Sequence, residues 1–525
     1  MKHRRKWLDV NPVVFFVSAG AMLAFVVFGA IAPDFAGDVF GQLQAFIVDT
    51  FGWFYVLSAT IFLVFVLYLL FSRYGNIRLG DDSSKPEFKN ASWFAMLFSA
   101  GMGIGLVFWG VAEPIFHYMG PPVGAGETPE AMTQAMRYTF YHWGLHPWAI
   151  YIVLGLSIAY FHYRHKLPLA PRSIFYPLLG ERINGPIGHG IDILAVVATL
   201  FGIATSLGLG ATQINTGLSV VAGVPEGTGS QLLIIAVITL IATISVVTGV
   251  KKGVKLLSET NLVMAGLLLL FLLVFGPTVF LLELFVTSVG DYFQNLLQLS
   301  FWTDAGDRTE GWLASWTLFY WGWWISWAPF VGVFIARISK GRTIREFILG
   351  VLLVPTGMTF LWLTVFGGTG LHIDLFGDGG IAAATTENVT LSLYAVLDQL
   401  PLTLLTSLIA TVLVAVFFIT SSDSGSLVID MITAGGKTGA PKVQRVFWAV
   451  TEGAIAAVLL LAGGLEALQT ASITAGLPMA VLMLVMCLTL LKALRVEAVT
   501  EGVPSREHLV AGAEAFATRP RTTGD

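Results

Sequence analysis

The chain has 525 residues, 55% of them hydrophobic and only 12% charged, with a mean hydropathy of +0.77. A soluble globular chain carries about 25% charged residues, so a soluble enzyme is excluded, nothing calls for a nucleic-acid partner, and this chain belongs in lipid. The net charge of −4 adds little, and the single cysteine, Cys487, excludes an internal disulfide and a multi-thiolate metal site.

A membrane-spanning helix needs about 20 predominantly apolar residues. Such runs begin near Pro12, Gly52, Trp93, Tyr138, Ile191, Leu232, Leu256, Leu313, Ile344, Leu400, Val446 and Gln469, which predicts about twelve spans. The first run extends from Pro12 to Ala32, longer than the apolar region of a signal peptide, and reads as a true span. Of the 29 Lys and Arg residues, all but Arg137 and Arg308 fall in the termini and in alternate connections. The opposite connections carry Asp34, Asp38, Glu127, Glu130, Asp304, Asp307, Asp374 and Asp378. Positive loops stay inside, so both termini are expected in the cytoplasm. No soluble domain is apparent. The stretch Gly290 to Trp302 is too short and polar to span, and its stripe of Phe293, Leu296, Leu297 and Phe301 predicts an interfacial amphipathic helix.

The third span contains Gly101, Gly103, Gly105 and Gly110, and the eighth contains Gly322, Pro329 and Gly332 among four tryptophans. They lie five spans apart, and a five-helix unit inserted twice must have inverted topology. Glycine-interrupted spans at matching positions of inverted halves point to a substrate site at the bilayer midplane; glycines that only permit close packing are the competing reading.

The fourth span reads HWGLHPWAIY (142–151) and the eighth contains WWISWAPF (323–330). Trp and Tyr commonly form belts at membrane interfaces. Trp324 and Trp327, at i and i+3, share a helix face, in a helix expected to be disrupted by Pro329. Indole faces bind a bulky, weakly hydrated cation such as a quaternary ammonium. On the residues alone, belt and cage both stay open.

Ionisable residues are expected only near span ends, at Glu113, Asp192, Glu259, Asp398 and Asp423, which argues against an obligate proton pathway. The hydroxyls of Thr420, Ser421 and Ser422 suit a hard cation, with bonding to the preceding helical turn as the alternative. His142 and His146 have i, i+4 spacing, but Trp143 stands where a zinc protease needs glutamate, and no third ligand is in view. The Gly101–Gly105 run lacks dinucleotide-loop spacing and follows no strand.

The blocks GMGIGLVFWGVAEPIF (101–116), HWGLHPWAIY (142–151), FGIATSLGLGATQ (201–213), WTLFYWGWWISWAPFVGVFIARISKGRTIREF (316–347) and FFITSSDSGS (417–426) resemble the betaine/choline/carnitine transporter family. The resemblance implies an all-α polytopic membrane protein of the leucine-transporter type, with two inverted five-helix repeats. It organises the chain into residues 1–91 with two extra helices, 92–287 as the first repeat, and 288–311 as the interfacial helix and loop. Residues 312–491 form the second repeat and 492–525 a cytoplasmic tail. Trp143, Trp148, Tyr151 and Trp324 would cage the trimethylammonium group, flanked by Phe108 and Trp327, with Trp323 along the path. The backbone of Gly101, Gly103 and Gly105 would face the substrate carboxylate. Sodium would be held by the carbonyls of Ser99, Met102 and Phe417 and the hydroxyls of Thr420 and Ser421. No cofactor is implied, and family members tend to be homotrimers that use the interfacial helix.

Three contrasts sharpen the reading. Proton-coupled choline members tend to carry aspartate in the glycine run, where position 105 here is glycine; sodium-independent carnitine exchangers carry arginine at the position of Leu262. Both favour sodium. A second sodium site pairs two threonines on the fifth span in betaine symporters; Thr199 matches the first, but Ile203 replaces the second. The tail from Val496 to Asp525 has Arg506, Arg519 and Arg521 against five acidic residues, unlike a basic osmosensing tail. The expectation is sodium-coupled import of glycine betaine by alternating access in the bacterial inner membrane, in contact with lipid. Choline import on protons, carnitine exchange, and import of dimethylsulfoniopropionate or ectoine are the rivals within the family. A channel or a solute sensor is the rival outside it; an intramembrane metalloprotease is the weakest.

Overall fold

A computed structural model describes residues 7–101, 103–248, 251–306, 309, 311–500, 506 and 508–510; for 98–101, 248 and 251–256 it describes the helical backbone only. Among the described residues there are helices and no strand, apart from one isolated bridge between Arg78 and Thr343. Hydrocarbon offers backbone groups no partners, so a spanning chain satisfies them within helices.

Helix α1 (Pro12–Ile31) starts where the Asn11 side chain accepts the Val14 N–H at 3.3 Å and Pro12 fills the first turn. Only Ala32 separates it from α2 (Pro33–Phe71). The third span is two pieces, α3 (Asn90–Gly101) and α4 (Ile104–Met119), parted where Gly103 is extended. The fourth is also two, α5 (Pro129–Trp143) and α6 (Leu145–Ala159), parted at Gly144. A Cβ at Gly144 would lie 2.5 Å from the Phe140 carbonyl oxygen and 2.9 Å from the Phe360 ring, so the break depends on glycine. A single turn, α7 (Tyr176–Leu179), precedes the long spans α8 (Pro186–Ala222), α9 (Thr228–Thr248) and α10 (Lys251–Phe275).

Helix α11 (Thr278–Phe301) contains the expected amphipathic stretch but begins twelve residues before Gly290, and it is not among the helices apolar enough to cross a membrane. The Arg137 guanidinium of α5 ties it down by two hydrogen bonds to Asp291, at 2.5 and 2.8 Å. Then follow α12 (Phe319–Arg337), α13 (Ile344–Phe376), the short α14 (Ile381–Glu387) and α15 (Leu391–Asp398), and α16 (Thr403–Thr433). The last helix, α17 (Lys442–Thr500), joins two spans across Gly463 and Gly464, the latter at φ 58°. Among the described residues ten helical segments are long and apolar enough to span. Dividing α17 at its kink and adding the broken α3–α4 pair gives the twelve passes expected.

The eighth span differs from expectation. Helix α12 runs unbroken through Pro329, after a π-helical turn at Ala314–Leu318. Its glycines serve contact instead: a Cβ at Gly322 would stand 2.7 Å from the Ile473 Cα, and one at Gly332 would stand 2.5 Å from the Leu154 Cδ2. Close packing against α17 and α6 is thus their role, and the second mid-span break lies in the fourth span, within the same half as the first. Helix α12 is buried between α6, α8 and α17 at the centre of the molecule.

The basic connections gather on one face, here the basic face. Arg164 bonds Glu497 at 2.6 Å and Asp82 at 2.9 Å, and Lys437 bonds Asp9 at 2.7 Å. Helix α17 continues nine residues past Leu491, where the tail was expected to begin, and Arg506 donates to the Lys166 carbonyl at 2.8 Å. Residues 501–505, 507 and 511–525 of the expected tail, like Arg308, lie outside the described residues.

Candidate functional site

Ending α5 at Gly144 turns the chain so that Trp143 and, one turn on, Trp148 and Tyr151 face the central helix α12. With Pro147, Trp324, Trp327 and Thr359 they line a narrow recess of about 20 Å³. Trp143 and Trp324 meet edge to face at 4.9 Å, and Tyr151 stands 6.3 Å from both Trp324 and Trp327. All five rings are buried, which fits a cage and not a solvent-facing belt.

Hydrogen bonds orient the rings. The Trp143 N–H donates to Glu113 Oε2 at 2.6 Å, and the Trp324 N–H donates to the His142 carbonyl at 2.9 Å. Trp323 lies one layer back, stacked on Trp324 at 4.7 Å, with its N–H on the Gly202 carbonyl at 3.3 Å. Gly105 permits this layer: a Cβ there would meet the Trp323 ring at 2.4 Å and the Trp143 ring at 3.3 Å. Gly103 backs on Trp327, at 3.8 Å from its would-be Cβ. The Tyr151 hydroxyl and the Trp327 N–H are buried without a partner. Phe108 is not in the recess wall. It lines a separate cavity toward the acidic connections, with Thr216, Glu226, Asn388 and Thr390.

On its other side Trp327 joins a larger cavity of about 300 Å³, reaching toward the basic face. Phe417, Thr420 and Ser421 line it, with Asn261 and Leu262 of α10. Thr420 donates to the carbonyls of Val416 at 2.9 Å and Phe417 at 3.2 Å, so its hydroxyl is bonded to its own helix. Of the other expected sodium ligands, Met102 lies outside the described residues, and for Ser99, as for Gly101, only the helical backbone is described. Thr199 donates to the Ala195 carbonyl at 2.7 Å, and Ile203 packs against Gly425.

Two buried carboxylates escaped the sequence reading. Glu113, taken as a span-end residue, is fully buried, accepts from Trp143 and Tyr320, and pairs with His142 and His117. Its signal was the i, i+4 pair with His117 opposite a second histidine, His142. Glu452 lies fully buried within α17, takes a bond from Ser422 at 3.0 Å and leaves Oε1 without a partner. A lone acid in the apolar run from Val446 was its signal, and it corrects the expectation that ionisable groups sit only at span ends. His142 and His146 do not form a pair: His142 faces Glu113 at 2.7 Å, while His146 bonds Ser300 at 3.0 Å. Glu113, His117 and His142 bring ligand atoms within 4.8 Å of one another, and the carboxylate is already surrounded by donors.

Comparison with known proteins agrees with this architecture. Residues 13–499 match the model of the betaine/carnitine/choline family transporters. The chain is 49% identical over 486 residues to a glycine betaine transporter of Bacillus subtilis (strain 168), covering 92% of this chain and 94% of that protein. It is 46% identical over 498 residues to a glycine betaine transporter of Acinetobacter baylyi, covering 94% and 75%. It is 44% identical over 500 residues to a high-affinity choline transport protein of Escherichia coli (strain K12), covering 95% and 74%. The protein is therefore a multi-pass membrane transporter and not an enzyme, and the chain belongs to the betaine/carnitine/choline transporter family.

Proposed function

We propose that this chain imports glycine betaine, driven by sodium, through alternating access. The observation that carries the reading is the recess of Trp143, Trp148, Tyr151, Trp324 and Trp327. A quaternary ammonium has no N–H to offer a carboxylate, and its weak hydration makes ring faces its favoured partners. The unpartnered Tyr151 hydroxyl and Trp327 N–H supply donors for the carboxylate end of betaine. Relatives named as glycine betaine transporters support the same substrate.

Sodium coupling rests on Phe417, Thr420 and Ser421 lining the cavity that shares Trp327; the carbonyls of Ser99 and Met102 would complete the shell that the family resemblance implies. Gly105 and Leu262, in place of the aspartate and arginine of the sodium-independent patterns, support it. With Ile203 against Gly425, one sodium site is the reading we adopt. The basic face is assigned to the cytoplasm, so the larger cavity faces inward and the conformation is one from which solute is released. Helix α11 offers the surface for a homotrimer, and the physiological role is osmoprotection.

A second reading, choline import, is favoured by the choline-transporting relative, since the cage recognises the shared trimethylammonium group. Proteoliposomes decide between them. Uptake of labelled betaine should need an inward sodium gradient and be competed better by betaine than by choline, carnitine or ectoine. Equal uptake without sodium would remove the coupling, and stronger competition by choline would replace the substrate.

A further inference from the structure

Glu113 sits on α4, behind the wall of the cage, and is fully buried. Its Oε1 faces His142 Nδ1 at 2.7 Å and His117 Nε2 at 3.3 Å. Its Oε2 accepts from the Trp143 N–H at 2.6 Å and from the Tyr320 hydroxyl at 2.5 Å. An indole N–H can only donate, and an ionised carboxylate offers about four acceptor sites. Trp143 and Tyr320 donate to Oε2; in the tautomers that donate from His142 Nδ1 and His117 Nε2, four donors meet the two oxygens, which is the environment of an anion. The Thr317 hydroxyl stands 3.0 Å from His142 Nε2, so it can donate there and leave the Nδ1–H for Glu113. Among the described residues no lysine or arginine bonds to this carboxylate; His117, His142 and Tyr320 are the titratable groups that touch it.

Both bonds to Oε2 lead into the cage. Trp143 is a wall of the recess, and Tyr320 lies against Trp143 at 5.5 Å and stacks on Trp324 at 5.7 Å. A charge-assisted hydrogen bond is short and strong, so it fixes the angle of the indole. Drawing on the N–H also shifts electron density into the ring, which deepens the negative potential of its face toward a cation. The carboxylate does this from outside the recess, where it cannot clash with a methylated nitrogen.

We propose that Glu113 is an ionised positioning residue of the cage, which orients Trp143 and Tyr320 and makes the ring faces selective for a positive charge. The proposal rests on the onium reading of the site. Its test is Glu113→Gln in proteoliposomes, with the half-saturation for betaine measured beside inhibition by 3,3-dimethylbutanoate, the uncharged-carbon isostere of betaine. The expected result is a rise in betaine KM of about tenfold, a much smaller change in kcat, and little change in the weak binding of the isostere. An equal loss for both ligands would leave only a shape role and overturn the claim on charge selectivity; no change in betaine KM would overturn the proposal entirely. Failure of the onium reading looks different, because the unaltered transporter would then not prefer betaine to its isostere. Should Glu113→Gln fail to assemble, Tyr320→Phe removes one of the two donors that link the carboxylate to the cage and should raise betaine KM in the same sense by a smaller factor. An unchanged KM in Tyr320→Phe would then count against the proposal.

Discussion

Trp327 separates two regions built on opposite principles. On one side, the rings of Trp143 and Trp324 are held by N–H bonds to groups on other elements, a carboxylate of α4 and a carbonyl of α5. On the other, Thr420 bonds to carbonyls of its own helix, and among the described residues its hydroxyl has no hydrogen bond across the cavity. The ring angles are therefore held by bonds that need no solute, whereas the Thr420 hydroxyl, donating to its own helix, keeps its oxygen lone pairs for another partner. Preorganised groups lose little entropy on binding. A ligand that rearranges a hydroxyl shifts an equilibrium only by its differential affinity for the two arrangements. On the proposed function, recognition of the organic cation would fall to the rigid side and ion coupling to the adaptable hydroxyl side.

The largest test of this contrast removes a ring. Trp324→Ala should lower kcat/KM for betaine by more than about 30-fold, since a desolvated cation–π contact is worth about 2 kcal/mol or more; uptake near the unaltered rate would refute the cage. A smaller loss, about tenfold, is expected for Gly105→Ala, because crowding a packed interior costs about 1–3 kcal/mol and the new Cβ would press on Trp323. Retained transport there would show that the second layer of rings is free to move. On the adaptable side, Thr420→Ala should raise the sodium concentration for half-maximal uptake by about fivefold, the equivalent of about 1 kcal/mol for one lost oxygen ligand. A sodium curve left in place would exclude this hydroxyl from the ion shell.

The smallest effect concerns the basic face and leaves transport aside. Burial, reinforced by the charges of Arg164 and Arg506, pushes the His165 imidazole down to about 4. An unfolded histidine takes up its proton near pH 6.5, so only the unfolded form gains from acid between those values. Stability should be complete above about pH 6.5, fall as pH drops toward about 4, and level off below it. Thermal melting of the purified transporter at several pH values checks this, and His165→Gln should flatten the part of the slope between those limits.

Much of this molecule was legible in the chain. The twelve apolar runs, the segregation of Lys and Arg, and the glycines and aromatics of spans three, four and eight all follow from local composition. The cage members Trp143, Trp148, Tyr151, Trp324 and Trp327 do meet, because helical spacing places each on an inward stripe. Phe108 was misplaced, since position on α4 does not say which cavity a side chain enters. The eighth span was read as broken because glycine and proline weaken a helix locally, yet burial between α6 and α17 holds it straight and uses its glycines for contact.

By itself the sequence determined that this chain lives in lipid as a helical bundle, and which residues carry its aromatic chemistry, because hydropathy and periodicity are properties of consecutive residues. Only the tertiary structure decided that the fourth span breaks at Gly144, that Glu452 is sealed within α17, and that Glu113 stands behind the cage. The partners of that carboxylate come from His117, His142, Trp143 and Tyr320, brought together across more than two hundred residues of chain. No local pattern encodes such a meeting, because its geometry exists only once α4, α5 and α12 have packed.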